Sequence, residues 1–235
     1  MKKIFITFGG GLQNYINAGK RLVKQVENLK LFDECHLITD LTLKNDTEFW
    51  TKHKNFINNN NRGYGFWIWK PYIIHKFIKK LNQGDILLYL DAGCEVNIQK
   101  KNKIKNLFQI VKKDYIIGTT TKFLEKCWTK RDIFVELNCD NEKYWNSNQR
   151  QGGVNMFLKC NKTMKLIEEW VHYSSKYNLI DNSPSKNKNL NGFVENRNDQ
   201  SIFSLLTKKH ELFSDVSLLE YIEVLRNRSG NSRLK

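Results

Sequence analysis

The sequence predicts an α/β fold: a single domain with a mostly parallel central sheet flanked by helices. Three observations carry this. Short, unbroken apolar runs such as KIFITF (3–8) and ILLYL (86–90) read as strands buried on both faces. Between such runs the apolar residues recur every three or four positions, the period of an amphipathic helix. Strand, helix and strand in succession imply a right-handed parallel crossover, and their repeated alternation implies the α/β class. With 235 residues and 40% hydrophobic content the chain is large enough for a full core. One domain is expected over 1–225, with a mobile basic tail, RNRSGNSRLK, closing the chain over 226–235.

Gly9 to Gly11 stop the first strand, and Tyr15, Ala18, Leu22, Val26 and Leu29 then share one helical face. CHLITD is the second strand. NNNNRGYGFWIWKP (58–71) is a polar loop that becomes an aromatic patch, with Pro71 suited to the first turn of a helix. Ile74, Phe77, Ile78 and Leu81 form the stripe of that helix, which ends at the turn Asn82–Gly84. After the strand Ile86–Leu90, a helix places Ile104, Leu107, Phe108 and Val111 inward and its lysines outward. DYIIGT is a strand, WTKRDIFVELN is helical, and GGVNMFLKC alternates as a strand does. NKTMKLIEEWVHYSSKY is a helix with Met164, Ile167 and Val171 inward. NLIDNSPSKNKNLNGFVEN is a long polar loop, of the kind that often serves as a lid. DQSIFSLLTKKH is a helix for which Asn198 is the expected cap.

Composition narrows the function. A formal net charge of +15 points to an anionic partner, whether nucleic acid, a membrane surface or a phosphorylated small molecule, or else to a solvated lysine-rich surface. The five cysteines stand singly, with no CxxC pair, which argues against zinc ribbons and thioredoxin-like chemistry and suits reduced thiols in the cytosol. The first apolar run is too short for a signal peptide and no later run would span a bilayer. A cytoplasmic protein is expected (host cytoplasm if viral), with peripheral membrane contact left open.

The candidate chemistry starts from GDILLYLDAGCEVN (84–97). A core strand ends there in Asp91, followed by the small residues Ala92 and Gly93 and then by Glu95. A carboxylate at such a place is costly unless water, a partner or a metal meets it. In parallel sheets ligands gather beyond the carboxyl ends of the strands, and both Asp40 and Asp91 stand at such ends. Arg62 and Lys70 flank an aromatic stretch that suits a base or sugar and its phosphate. Gly152 and Gly153 open a strand where backbone can approach a ligand closely. Glu195, Arg197, Asp199 and Gln200 cluster at a helix start. Each stretch also has a structural reading: a turn cap, a hydrophobic hinge, a plain turn, or a first-turn acid.

Taken together, GYGFWIWKP, LLYLDAGCEVN, WTKRDIF, QGGVNMFLK and ENRNDQSIFSLL, in this order and spacing, resemble a family of bacterial and large-virus glycosyltransferases of the GT-A class. The likeness runs from about Lys3 to about Phe213. It implies a nucleotide-diphospho-sugar transferase fold and hexosyl or similar transfer. The donor would be of the UDP- or GDP-sugar class and the acceptor a saccharide or glycoprotein, as in polysaccharide or glycoprotein biosynthesis. Residue by residue, it implies that Asp91 is the first acid of a DxD metal motif serving Mn²⁺ or Mg²⁺. Thr7, Phe8 and Gly9 would line the base pocket. Arg62, Lys70, Asp91, Ala92 and Gly93 would meet the donor. Gln151, Gly152 and Gly153 would line the acceptor region, and Asp199 with Gln200 would hold the active-site acid. Two positions depart from the pattern. The second acid is replaced by Gly93, so Glu95, Asp199 or a lysine/arginine set must complete or replace the metal. A His in the usual RHDQS is Asn198 here. For the base of an inverting transfer, Asp199 comes first and Glu95 second. Two rivals remain: a basic nucleic-acid-binding α/β module, whose basic residues are here dispersed, and a dinucleotide-binding oxidoreductase, whose GxGxxG order is broken at Asn14.

Overall fold

The computed structural model describes residues 1–214 and 216–234. The chain opens with β1 (Lys3–Phe8), α1 (Gln13–Leu29) and β2 (Glu34–Ile38). β2 pairs in parallel with β1, Ile4 against Glu34 and Phe8 against Ile38, which is the expected crossover. Four helices, α2 (Asp40–Lys44), α3 (Thr47–Asn58), α4 (Gly63–Phe66) and α5 (Trp69–Lys79), lead back to β3 (Ile86–Leu90), parallel to β1 on its other side. A short β4 (Cys94–Glu95), α6 (Lys101–Asp114) and β5 (Ile116–Ile117) come next. The chain then leaves the sheet through β6 (Thr120–Leu124), α7 (Glu125–Trp128), α8 (Arg131–Glu136), α9 (Glu142–Trp145) and β7 (Asn148–Arg150), with β6 and β7 antiparallel. It returns as β8 (Val154–Leu158) and ends through α10 (Asn161–Ser174), α11 (Tyr177–Ile180), α12 (Asp199–Lys209) and β9 (Glu223–Val224).

The central sheet has the order β2-β1-β3-β8-β5. Four strands share one direction and β8 opposes both of its neighbours. The mixed α/β class and the mostly parallel sheet are therefore as the sequence predicts. The reversal of β8 has a local consequence. It pairs Val154 with Leu90, so β8 begins where β3 ends. The Gly152–Gly153 turn thus meets Asp91 at one edge of the sheet.

Both faces of the sheet are covered. α1 buries Ala18, Leu22, Val26 and Leu29, and α6 buries Ile104, Leu107, Phe108 and Val111, against Phe5, Leu88 and Met156 on one side. α5, α10 and α12 cover the other side through Ile74, Ile78, Trp170 and Phe203. Burying a large aliphatic or aromatic side chain contributes roughly 1.5–3 kcal/mol, so these two stripes hold the sheet.

Several local expectations change. WTKRDIFVELN breaks at Thr129–Lys130 into α7 and α8. α10 turns Thr163, Leu166, Ile167, Trp170 and Ser174 inward and leaves Met164 and Val171 partly exposed, because Trp170 fills the space against Phe203. Asn198 does not cap α12. Its backbone is left-handed at φ 54°, and its side-chain amide donates to Ile180 O instead. The long loop after α11 is fastened: Asp132 accepts from the backbone N–H of Lys186 and Asn187, and Lys130 donates to Asp181. The basic tail also folds back on the body. Arg21, 7% exposed on α1, donates to the carbonyls of Ala92, Cys94, Asn227 and Ser229. The sequence shows a polar side chain beside an apolar stripe there, but not the carbonyls that offset the cost of its burial.

Candidate active site at the edge of the sheet

Lys70 is the centre of the site. It lies in the first turn of α5, just after a strained stretch. Gly63 to Trp67 all have positive φ, so α4 is a single left-handed turn. Left-handed backbone costs roughly 1–2 kcal/mol for each non-glycine residue, and Tyr64, Phe66 and Trp67 each bear it. Burial of Phe66 and Trp69 offsets the strain, with Trp69 stacked on Phe8 at 3.8 Å and its indole donating to Gly63 O. The result turns the Lys70 side chain inward, where it is 4% exposed.

Two carboxylates meet that ammonium. Asp91 Oδ1 lies 3.2 Å from Lys70 Nζ, and Asp199 Oδ2 lies 3.5 Å away. The rings of Tyr89 and Trp69 stand 5.5 and 5.9 Å from the same nitrogen. The two acids differ in environment. The Asp91 side chain is 45% exposed, whereas that of Asp199 is 4% exposed. Tyr89 OH donates to Asp91 Oδ1 at 2.6 Å. Asp199 Oδ2 has no hydrogen-bond partner among the described residues, and Lys70 is its ion-pair partner.

These environments set the protonation states. Burial pushes the Asp199 carboxyl up to about 7; the Lys70 charge pulls it down and the Asp91 charge pushes it up again. Burial works against the Lys70 ammonium, but the two carboxylates outweigh it and hold its pKa above the ordinary value. The site therefore pairs a permanent cation with an acid poised near neutrality.

The two glycines make room for the two carboxylates. A Cβ on Gly153 would stand 2.2 Å from Asp91 Oδ2, and one on Gly152 would stand 3.3 Å from Asp199 Oδ2. Gly153 O also accepts from Asp91 N–H at 2.8 Å, which fixes the strand end to the turn. Gly153→Ala is expected to displace Asp91 from Lys70 and to reduce turnover at least about tenfold, since misplacing a reacting group by an ångström is that costly or more. The variant's melting curve and activity, measured together, separate this from global unfolding.

Other expected site residues hold the frame. Thr7 is fully buried and its hydroxyl donates to Leu90 O, while Phe8 is core beneath Trp69. Gly9 is needed because a Cβ there would meet Tyr15 O at 2.4 Å. Ala92 is buried and its carbonyl is taken by Arg21. Lys70, expected to meet the donor, is buried as counter-ion to Asp91 and Asp199. Gln200 braces the turn, accepting from Gly152 N–H and donating to Gln149 Oε1. The Gln151 backbone N–H donates to Thr119 O beside it. Arg62 pairs with Glu195, which also meets Arg197, whose guanidinium lies 4.0 Å above the Trp128 ring.

Glu95 does not face this centre as a free base. Its carboxylate accepts from Gln25, Asn227, Ser232 and the backbone N–H of Arg233. Burial alone would raise its pKa, but these donors outweigh burial and hold it at about 2. Three contributors escaped the sequence reading. Tyr89 is hidden in an apolar strand, and Trp170 donates to Asp199 O from α10. Asn155, buried opposite Tyr89, has an Oδ1 without a partner among the described residues. Only Asn155, a polar residue inside an apolar run, left a sequence signal.

A divalent cation would find an incomplete shell. Among the described residues no three His, Cys, Asp or Glu side chains gather to hold a metal. Asp91 Oδ1 is already engaged by Tyr89 and Lys70, which leaves Oδ2 of this half-exposed side chain as its unengaged oxygen among the described residues. That suits an ion of the Mg²⁺ type, which binds through one or two carboxylates and takes its other ligands from phosphate and water.

No family model matches the chain, and no curated protein sequence does. Among solved structures it is similar to mouse xyloside xylosyltransferase 1 in its apo form, at 12% identity and a TM-score of 0.47, over 93% of this chain and 86% of that one. The reading of function therefore rests on the site itself.

Proposed function

We propose that the chain is a glycosyltransferase that moves a sugar from a nucleoside-diphosphate donor to a hydroxyl of a saccharide or glycoprotein acceptor. The observation that carries this is the Asp91–Lys70–Asp199 bridge, set against Gly152 and Gly153 at the edge where β3 ends. One acid is 45% exposed, one is buried and poised near neutrality, and the glycine turn beside them leaves room for both carboxylates.

In such a transfer the sugar becomes oxocarbenium-like and charge builds on the departing diphosphate. Asp199 receives the proton of the attacking hydroxyl at Oδ2, the oxygen with no hydrogen bond. A positioned base of this kind contributes on the order of 10²–10⁴-fold. Lys70 keeps Asp199 ionisable despite its burial and fixes it relative to Asp91. Asp91 Oδ2, with Mn²⁺ or Mg²⁺ brought by the donor, would hold the diphosphate; the ion would supply positive charge to the leaving group.

The test is a thermal-shift and hydrolysis screen of UDP- and GDP-sugars with and without Mn²⁺, with NAD and oligonucleotides as controls. A nucleotide-sugar is expected to raise the melting temperature by mass action, and Mn²⁺ alone to leave it unchanged because the protein shell is incomplete. Stabilisation by NAD or oligonucleotides only, with no nucleotide-sugar hydrolysed, would refute the assignment.

A further inference from the structure

The Lys70 ammonium is buried and already faces two carboxylates and two rings, so its charge is balanced within the site. Two exposed arginines, Arg226 and Arg228, lie in the segment that follows β9. The segment Arg226–Gly230 crosses from the end of β3 to the start of α1. At one end, a Cβ on Gly93 would lie 3.1 Å from Arg226 Cα, and Asn227 N–H donates to Gly93 O at 2.9 Å. At the other, the Arg228 guanidinium lies 5.3 Å above the Tyr15 ring, and Gly230 packs on Asn17. Tyr15 itself lies against Gly9, at the end of β1. The strap thus spans the carboxyl ends of two adjacent parallel strands, the place where open α/β sheets bind ligands.

Resting on the donor class proposed above, we infer that Arg226 and Arg228 of this strap bind the donor diphosphate, supplying positive charge where the missing second acid would otherwise have helped hold a metal. Gly93 and the strap lie close together: a Cβ at position 93 would stand only 3.1 Å from Arg226 Cα, so a side chain there would press on the strap. Both arginines are exposed, and among the described residues neither forms an ion pair with a carboxylate. No acidic side chain stands in the first turn of α1 to compete for them. Guanidinium groups suit phosphate because their planar donors engage two oxygens at once.

The strap is built to be held in place. Arg21 grips it through Asn227 O and Ser229 O from one side while gripping Ala92 O and Cys94 O beneath it. Glu95 accepts from Asn227 Nδ2 in the strap and from Ser232 Oγ and Arg233 N–H just after it. Asn227 is fully buried between them. The two arginines therefore flank a fixed residue, and binding need not order a loose tail first.

The experiment is calorimetric titration of inorganic pyrophosphate, UDP and GDP into the full chain in EDTA. Wild type is compared with Arg226→Ala/Arg228→Ala, Arg228→Lys, and Lys105→Ala on the exposed face of α6. The double variant is expected to weaken binding by about a hundredfold, from two lost charge-assisted contacts. Arg228→Lys should recover part of it, and Lys105→Ala should match wild type. The melting temperature should stay unchanged, because both side chains are exposed; if the double variant melts early, the two single alanine variants carry the comparison. Equal affinity in wild type and in the arginine variants overturns the strap's role and leaves the donor class standing. Equal losses in Lys105→Ala and the arginine variants overturn it too, as a mere effect of net charge. No binding of any of the three ligands by wild type in EDTA overturns the inference, and no binding once Mn²⁺ is supplied in place of EDTA overturns the donor class with it.

Discussion

Asp199→Asn is expected to lower turnover at least about a hundredfold, within the range of a positioned base, while donor binding and folding survive. Folding survives because Asp91 remains as the partner of the Lys70 ammonium at 3.2 Å, and the amide matches the carboxylate in size. The pH profile carries the sharper signature. A base must be deprotonated to act, and the Asp199 carboxyl is pushed up to about 7 by burial. Wild-type kcat/KM should therefore rise with pH through a midpoint near 7. The residual activity of the variant should lack that rise. A first-turn acid with no chemical role would cost only a few tenths of a kcal/mol up to about 1 on removal and would leave the profile alone. Normal turnover in the variant, with donor and acceptor identified, would dismiss the base.

Lys70→Met should have the largest effect on stability. It leaves Asp199 buried without its counter-ion, and breaking a buried pair by removing one partner costs about 3–5 kcal/mol. The loss should depend on pH. With Lys70 gone, burial and Asp91 both push the Asp199 pKa up, further above its unfolded value than before. A carboxyl whose folded pKa is raised holds its proton in the folded state, so its contribution is fully present below the unfolded pKa. It is lost as pH rises through the folded one. The variant should thus be closest to wild type at pH 5 and furthest from it at pH 8, by urea unfolding at each. If activity survives, its midpoint should move above 7, because the charge that lowered the Asp199 pKa is absent. A loss that is the same at both pH values would mean that Lys70 matters only for packing.

The two variants separate roles that the sequence had merged. WIWKP and NDQS offered a lysine and an acid at separate places in the chain, and a lysine there suggested a phosphate contact. The structure makes it a bridge between two acids. Glu95 shows the reverse case: an acid two residues past a small-residue turn resembles a spare base. Four donors, from α1, the strap and the residues just after it, engage it and hold its pKa at about 2.

The α/β class and the inward faces of α1 and α6 were legible in the residues alone. Periodicity and unbroken apolar runs report burial one segment at a time, and burial is what those elements are made of. Asp91, Asp199 and the Gly152–Gly153 pair were legible too, because acids at element ends and paired glycines are costly without a reason. That they meet is a property of the folded chain. Their convergence depends on β8 running against its neighbours, which no local pattern encodes, since a buried strand looks the same in either direction. The inward turn of Lys70 depends on a left-handed turn held by distant aromatic packing, and the fixed tail depends on Arg21 and Glu95 reaching across some two hundred and about one hundred and thirty residues of chain respectively. Such contacts are set by which charges and carbonyls come together once the core has closed, and a one-dimensional pattern holds no record of that.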